Sequence, residues 1–129
     1  YRLADFPEDP RLLWEKAWIY FTAQRWDEAH ATYELILKNY PNMDIAITNN
    51  RYALNQLGRF DEALNLSIRA TELLPKNPVY RMKRAVDTYL SSGKKRFEDS
   101  IEACRQLKIA IQLGYKQDES VRKDLKNCS

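Results

Sequence analysis

Apolar positions along this chain recur at the spacing of one helix face. Trp14, Trp18 and Phe21 stand at i, i+4 and i+7, and Met82, Ala85, Val86 and Tyr89 at i, i+3, i+4 and i+7. Phe97, Ile101, Cys104 and Ile111 share a further face, and Val121, Leu125 and Cys128 another. With the punctuation between them, these stripes predict helices at about 10–23, 26–39, 43–57, 60–73, 78–92, 96–113 and 118–127. Asp9-Pro10 and Asn77-Pro78 each offer an N-cap followed by proline at the first helical position, where a missing N–H is no loss. Gly58, Gly93 and Gly114 supply stops. An amphipathic helix must bury its stripe against neighbours. A lone pair of helices cannot do this, but stacked pairs can, with the last helix covering the open end. The expected fold class is all-α, about seven helices in antiparallel pairs. The helix at 78–92 fits two registers. Counting from Pro78 buries Arg81 and Arg84; shifting by one turns Met82, Ala85, Val86 and Tyr89 inward. The second is preferred, because an unpaired buried guanidinium is costly.

A signature is written three times. Arg25-Trp26-Asp27-Glu28-Ala29-His30 is followed by Arg59-Phe60-Asp61-Glu62-Ala63-Leu64 and by Arg96-Phe97-Glu98-Asp99-Ser100-Ile101. The first two copies lie 34 residues apart and the second and third 37; Pro41 and Pro75 are also 34 apart. These residues resemble the tetratricopeptide repeat family, whose unit of about 34 residues folds as two antiparallel helices, A and B. Its marks here are Trp26, Ala29 and Pro41, then Phe60, Ala63 and Pro75, with Ala17 and Tyr20, and Ala53 and Leu54, in the A helices. The resemblance covers about residues 10–113. It implies a right-handed superhelical stack in one domain. An N-terminal extension (1–9) precedes repeats at 10–43, 44–77 and 78–116, the last with an insertion near 93–96, and a capping helix (117–129) follows. There are departures. Gln24 stands where a glycine is usual, Arg51 where a small residue is usual, and Ser100 replaces alanine.

The family binds partners on a concave surface lined by A helices. Carried over by position, the resemblance implies a lining of Trp14, Trp18 and Phe21, then Thr48, Asn49, Tyr52 and Asn55, then Val79, Met82, Lys83, Val86 and Tyr89. Rings with amides between them suit an extended peptide or an amphipathic helix. The same Trp14, Trp18 and Phe21 also read as ordinary core, with Leu3 and Phe6 of the N-terminal extension laid over them. One subfamily grips the acidic tails of chaperones with a carboxylate clamp of a Lys and an Asn, a second Asn, and two basic residues. Asn49 and Lys83 match it, but Trp14, Trp18 and Val79 do not, so chaperone-tail binding is not expected.

Composition narrows the chemistry. Lys and Arg number 21 against 18 acidic residues, a net +3 that marks no nucleic-acid partner. No apolar run reaches the roughly 18 residues that membrane insertion needs. Three scattered glycines exclude Gly-rich phosphate loops. One histidine and two cysteines leave little for a metal site or a triad, so no metal, cofactor or enzymatic activity is expected. The acidic pairs Glu8-Asp9, Asp27-Glu28, Asp61-Glu62, Glu98-Asp99 and Asp118-Glu119 sit at helix starts, where carboxylates meet the positive end of the helix dipole. His30 reads as a solvated surface side chain, and Lys94-Lys95-Arg96 as a solvated loop. The chain opens on Tyr1, not Met, as a processed product or an excised piece would.

Cys104 and Cys128 both lie on apolar faces, and their midpoint, residue 116, falls in the turn between the last two helices. In an antiparallel hairpin their sulfurs are therefore near neighbours. They are either free buried thiols or a bridge worth about 3 kcal/mol. A bridge would indicate an oxidising compartment. The tail from Ala103 to Cys128 is similar to those of bacterial members of the family, which leans the reading toward an exported or periplasmic bacterial protein and otherwise a cytoplasmic one. The expected function is a non-enzymatic module binding a protein or peptide in its groove. The alternative is a scaffold that self-associates through Trp14 and Trp18, as a homodimer or in a longer array.

Overall fold

The computed structural model describes residues 9–128. The expected packing of Leu3 and Phe6 lies outside the described residues. Among those described are seven α-helices: α1 (Pro10–Thr22), α2 (Trp26–Asn39), α3 (Asp44–Gln56), α4 (Phe60–Leu73), α5 (Pro78–Ser92), α6 (Ile101–Gln112) and α7 (Glu119–Asn127). A short 3-10 turn, Phe97–Asp99, precedes α6.

The starts of these helices follow from side-chain chemistry. Asp9 accepts from the Arg11 backbone N–H at 2.8 Å and Asn77 from that of Tyr80 at 3.1 Å, each capping a helix that opens on proline. The Arg11 guanidinium also bonds Asp9 and holds its carboxyl below the usual range. The repeated signature has a second physical basis. Its arginine stands just before the helix or turn and pairs with an acid three residues on: Arg25 with Glu28 at 2.7 Å, Arg59 with Glu62, and Arg96 with Asp99 at 3.3 Å. The acid meets the helix dipole and the arginine at once.

The third copy corrects one expectation. The helix predicted from residue 96 starts only at Ile101, because Ser100, in place of alanine, accepts from the Ala103 N–H at 3.2 Å and caps there.

The chain divides after Gly58 into two compact units. In the first, α1 packs on α2 and α2 on α3. Leu13, Ala17, Ala29, Tyr33, Ile36, Ala46 and Ile47 are buried, and the alanines let the helix backbones approach closely. Gln24, in the α1–α2 turn, adopts φ 60°, which among the described residues no other non-glycine matches in sign. Gly58, at the corresponding place after α3, adopts φ 75°. His30 departs from expectation. It is mostly buried, its Nδ1 lies 2.7 Å from Asn50 Oδ1, and Asn50 Nδ2 donates to Glu34 Oε1 at 2.7 Å. α2 is flanked by both α1 and α3, so a position that one stripe leaves outside is covered by the other neighbour.

In the second unit α4 packs on α5 and α5 on α6, while α7 and the 3-10 turn lie against α6. Ala85, Leu107 and Val121 form a core, with Met82, Phe97, Ile111, Tyr115 and Leu125 packed on it. Cys104 and Cys128 are joined by a disulfide. Neither register alone describes α5. Met82 and Ala85 do turn inward, but Asp87 is buried too, and Arg81 and Arg84 are half-buried. The arginines are not unpaired. Arg81 Nη1 donates to Gln106 Oε1 and Arg84 Nη1 to Thr71 Oγ1, each at 3.1 Å. Burial, then the charge of Arg81, lowers the pKa of Arg84. α5 is covered by α4 on one side and α6 on the other, so it has two buried faces.

Candidate functional site

The first unit carries a cluster of aromatic rings. Trp18 and Phe21, one turn apart on α1, stack with centroids 5.8 Å apart and planes 12° from parallel. Phe21 meets three further rings: Trp26 at 5.3 Å, Tyr52 at 5.5 Å and Tyr33 at 6.3 Å. Trp26 and Tyr52 touch at 5.5 Å. Most of these pairs are tilted or edge-to-face, the arrangements the ring quadrupole favours. Tyr33 is fully buried at the base of the cluster, and its Oη accepts from Asn49 Nδ2 at 3.1 Å. Burial pushes the Tyr33 phenol up, which the Asn49 bond offsets in part. Trp18 is 49% exposed and Tyr52 44%. Two large rings thus stand half-open to solvent, each packed against Phe21.

Trp14 differs from Trp18 and Phe21. Its ring meets Tyr33 edge-on at 5.9 Å, and it lines an apolar recess of about 660 Å³ with Pro10, Arg11, Glu15, Ile36, Met43 and Ile45. Of the α3 residues singled out in the sequence, Asn49 and Tyr52 join the cluster. Thr48 donates to the Asp44 carbonyl of its own helix at 2.9 Å, and Asn55 is half-buried. On α5, Val79 is exposed and Lys83 and Val86 are half-buried. Met82 is drawn into the core. Tyr89 packs on Phe97 at 5.7 Å and donates to the Lys95 carbonyl at 3.1 Å. Trp26 and Tyr33 belong to the ring cluster although neither is among the residues that the resemblance implies for the groove. The signal that points to them is the density of rings in α1 and α2.

No family model matches the chain, and no curated protein sequence does. Solved structures do. The TPR2B domain of yeast Sti1, in complex with pHsp70, is 18% identical with a TM-score of 0.74, covering 92% of this chain and 94% of that one. The first TPR of Spaghetti (RPAP3), bound to the HSP90 peptide SRMEEVD, is 19% identical with a TM-score of 0.74, covering 95% and 94%. MamA of AMB-1 is 26% identical with a TM-score of 0.72, covering 94% of this chain and 63% of that one. The chain has the tetratricopeptide-repeat fold. In its terms α1 and α3 are A helices and α2 the B helix between them, so the ring cluster draws on both kinds. Among the described residues no three His, Cys, Asp or Glu side chains are grouped to hold a metal ion, and no helix is long and apolar enough to cross a membrane.

Proposed function

We propose that this chain is a protein-interaction module without chemistry of its own, and that it takes a peptide or helix against the ring face of α1 and α3. The observation that carries the reading is the pair of half-open rings, Trp18 and Tyr52, packed on the half-buried Phe21, which in turn meets the buried Tyr33. Rigid aromatic side chains on a packed base lose little entropy on binding and supply most of an anchor's area. Asn49, tied to Tyr33 through its amide nitrogen, sets an amide beside the rings. That the Sti1 domain forms a complex with pHsp70 and the Spaghetti domain binds an HSP90 peptide supports a peptide partner in general. It does not favour an acidic tail here, since tryptophans occupy the clamp's positions in α1. A bridged cysteine pair favours an oxidising compartment.

The test is a display library of extended and helical peptides, selected on the wild type. Tyr52→Ala weakens a selected peptide by about 1–3 kcal/mol, as interface anchors do, with far-UV circular dichroism unchanged. Unchanged affinity counts against the ring face. A second reading, self-association, rests on Leu12 and Ile19, which α1 leaves 59% and 63% exposed seven residues apart. It requires a mass by light scattering that rises with concentration.

A further inference from the structure

The C-terminal helix is held on by very little besides sulfur. α7 has nine residues, shorter than a helix that persists alone in water. Val121 alone is buried in it, and Leu125 packs at the edge of the core. Glu119, Ser120, Arg122, Lys123, Lys126 and Asn127 face solvent. Its contact with the 3-10 turn also carries a repulsion. Asp124 lies half-buried near the Glu98 carboxylate, and burial first, then Glu98, raises its pKa; Lys123 opposes this and Asp118 adds to it. Against this weak hold stands one covalent bond, at the last described residue, to the first turn of the core helix α6.

Both cysteines are buried, yet a recess reaches one of them. Cys104 lines a recess of about 250 Å³ with Glu98, Ile101, Arg105 and Lys108, and Ile101 at the recess is 86% exposed. The cover between Cys104 and solvent on this side is thus side chains of one helix and one turn.

We propose that the Cys104–Cys128 bridge is a redox latch: a dithiol reductant reaching Cys104 through this recess opens it, α7 leaves α6, and the apolar edge formed by Met82, Phe97, Leu107 and Ile111 is bared. The reductant's thiolate attacks Cys104 Sγ, the S–S bond breaks, and Cys128 leaves as a thiolate that takes up a proton. The reductant's second thiol, deprotonated, then attacks the mixed disulfide and releases Cys104, which is protonated in turn. Two electrons and two protons pass to the protein, and the dithiol ends as a disulfide. The 114–118 linker keeps the freed helix tethered, so reoxidation restores the cap.

The experiment is hydrogen exchange on the whole chain, oxidised and then in dithiothreitol without denaturant. Exchange over 119–127 quickens about tenfold or more on reduction, while α6 and α1–α3 keep their protection. An apolar dye gains binding in step, and both changes reverse when the dithiol is oxidised. The double variant Cys104→Ser/Cys128→Ser shows the fast exchange without reductant and does not respond to it. Equal protection of α7 in both redox states overturns the latch. So does a bridge that opens only in denaturant, a native protein with two free thiols, or a general loss of helicity on reduction, which would make the bridge a staple of the whole fold.

Discussion

Tyr33 and Cys104 occupy one position in the repeat. Each stands seven residues after the signature aromatic, Trp26 or Phe97, and four after the small residue, Ala29 or Ser100. In the first unit that position holds a buried ring that meets Trp14 and Phe21 and accepts from Asn49. In the second it holds half of a disulfide. The copy between them, Ser67, is buried with its hydroxyl bonded to the Leu64 carbonyl of its own helix. The place that points into the helix sandwich is thus filled by area in one unit and by a covalent bond in the other. Area spreads: rings packed on Tyr33 continue outward to Trp18 and Tyr52, which remain half-open to solvent. A covalent bond does not spread. It fixes a single short helix on α6, and the side chains that this helix turns to solvent are polar or charged.

The strongest way to break this comparison is to remove both fillings. Tyr33→Ala is expected to cost about 3–5 kcal/mol, because the cavity opens under several rings and Asn49 loses its acceptor. Removing the bridge with Cys104→Ser/Cys128→Ser is expected to release α7 and leave α6 and α1–α3 folded, a smaller loss than the ceiling of about 3 kcal/mol on the entropic account of cross-links. Denaturant melts followed by tryptophan fluorescence separate the two, since Trp14, Trp18 and Trp26 all lie in α1 and α2. Tyr33→Ala shifts the fluorescence midpoint strongly, whereas the cysteine variant shifts the exchange of α7 first. If the two variants move the tryptophan signal alike, area and bond are not local fillings and the contrast fails.

Much of this was legible in the sequence because it is local or periodic. The Arg-to-acid pairs follow from a three-residue spacing, and the nearness of Cys104 to Cys128 from their symmetry about a turn. The ring face was partly legible: Trp18, Asn49 and Tyr52 were marked by the resemblance, but Tyr33, which supports them, was not. What escaped depends on a second neighbour. A stripe describes one buried face, yet α2 and α5 are each flanked on two sides. Hence His30 is enclosed beside Asn50, and Arg81 and Arg84 are held by Gln106 and Thr71. The late start of α6 escaped for a different reason. The repeat pattern set Ser100 equal to alanine and so concealed its capping hydroxyl.

The turns allow a smaller and cleaner contrast. Gln24 and Gly58 hold the same left-handed conformation, and a side chain added at Gly58 would meet nothing within 4 Å. The difference between them is therefore backbone strain, without a clash. Gln24→Gly should stabilise by about 0.5–1 kcal/mol, the left-handed strain relieved less the entropy glycine loses on folding. Gly58→Ala should destabilise by about 1 kcal/mol. Thermal melts check both, and opposite signs are required.

The smallest expected effect compares two carboxylates at the two ends. Asp9 is held low by Arg11, so its contribution is present above its ordinary titration range and fades as pH falls through the lowered value. Asp124 is raised by burial and by Glu98, so the sign reverses. Whatever Asp124 gives to docking is fully present in acid, below its unfolded value, and is lost as pH rises through the raised one. At neutral pH Asp124→Asn should therefore tighten α7, by well under about 1 kcal/mol given its partial exposure. The clearest background is Cys104→Ser/Cys128→Ser, where α7 has no covalent hold. There, exchange over 119–127 should be slower in Asp124→Asn than in its parent at neutral pH, with the two converging near about pH 3 as the parent's carboxyl protonates. A gap that widens toward acid would mean that the Asp124 charge helps to dock α7, and the hold would then not be the weak one that makes a latch necessary.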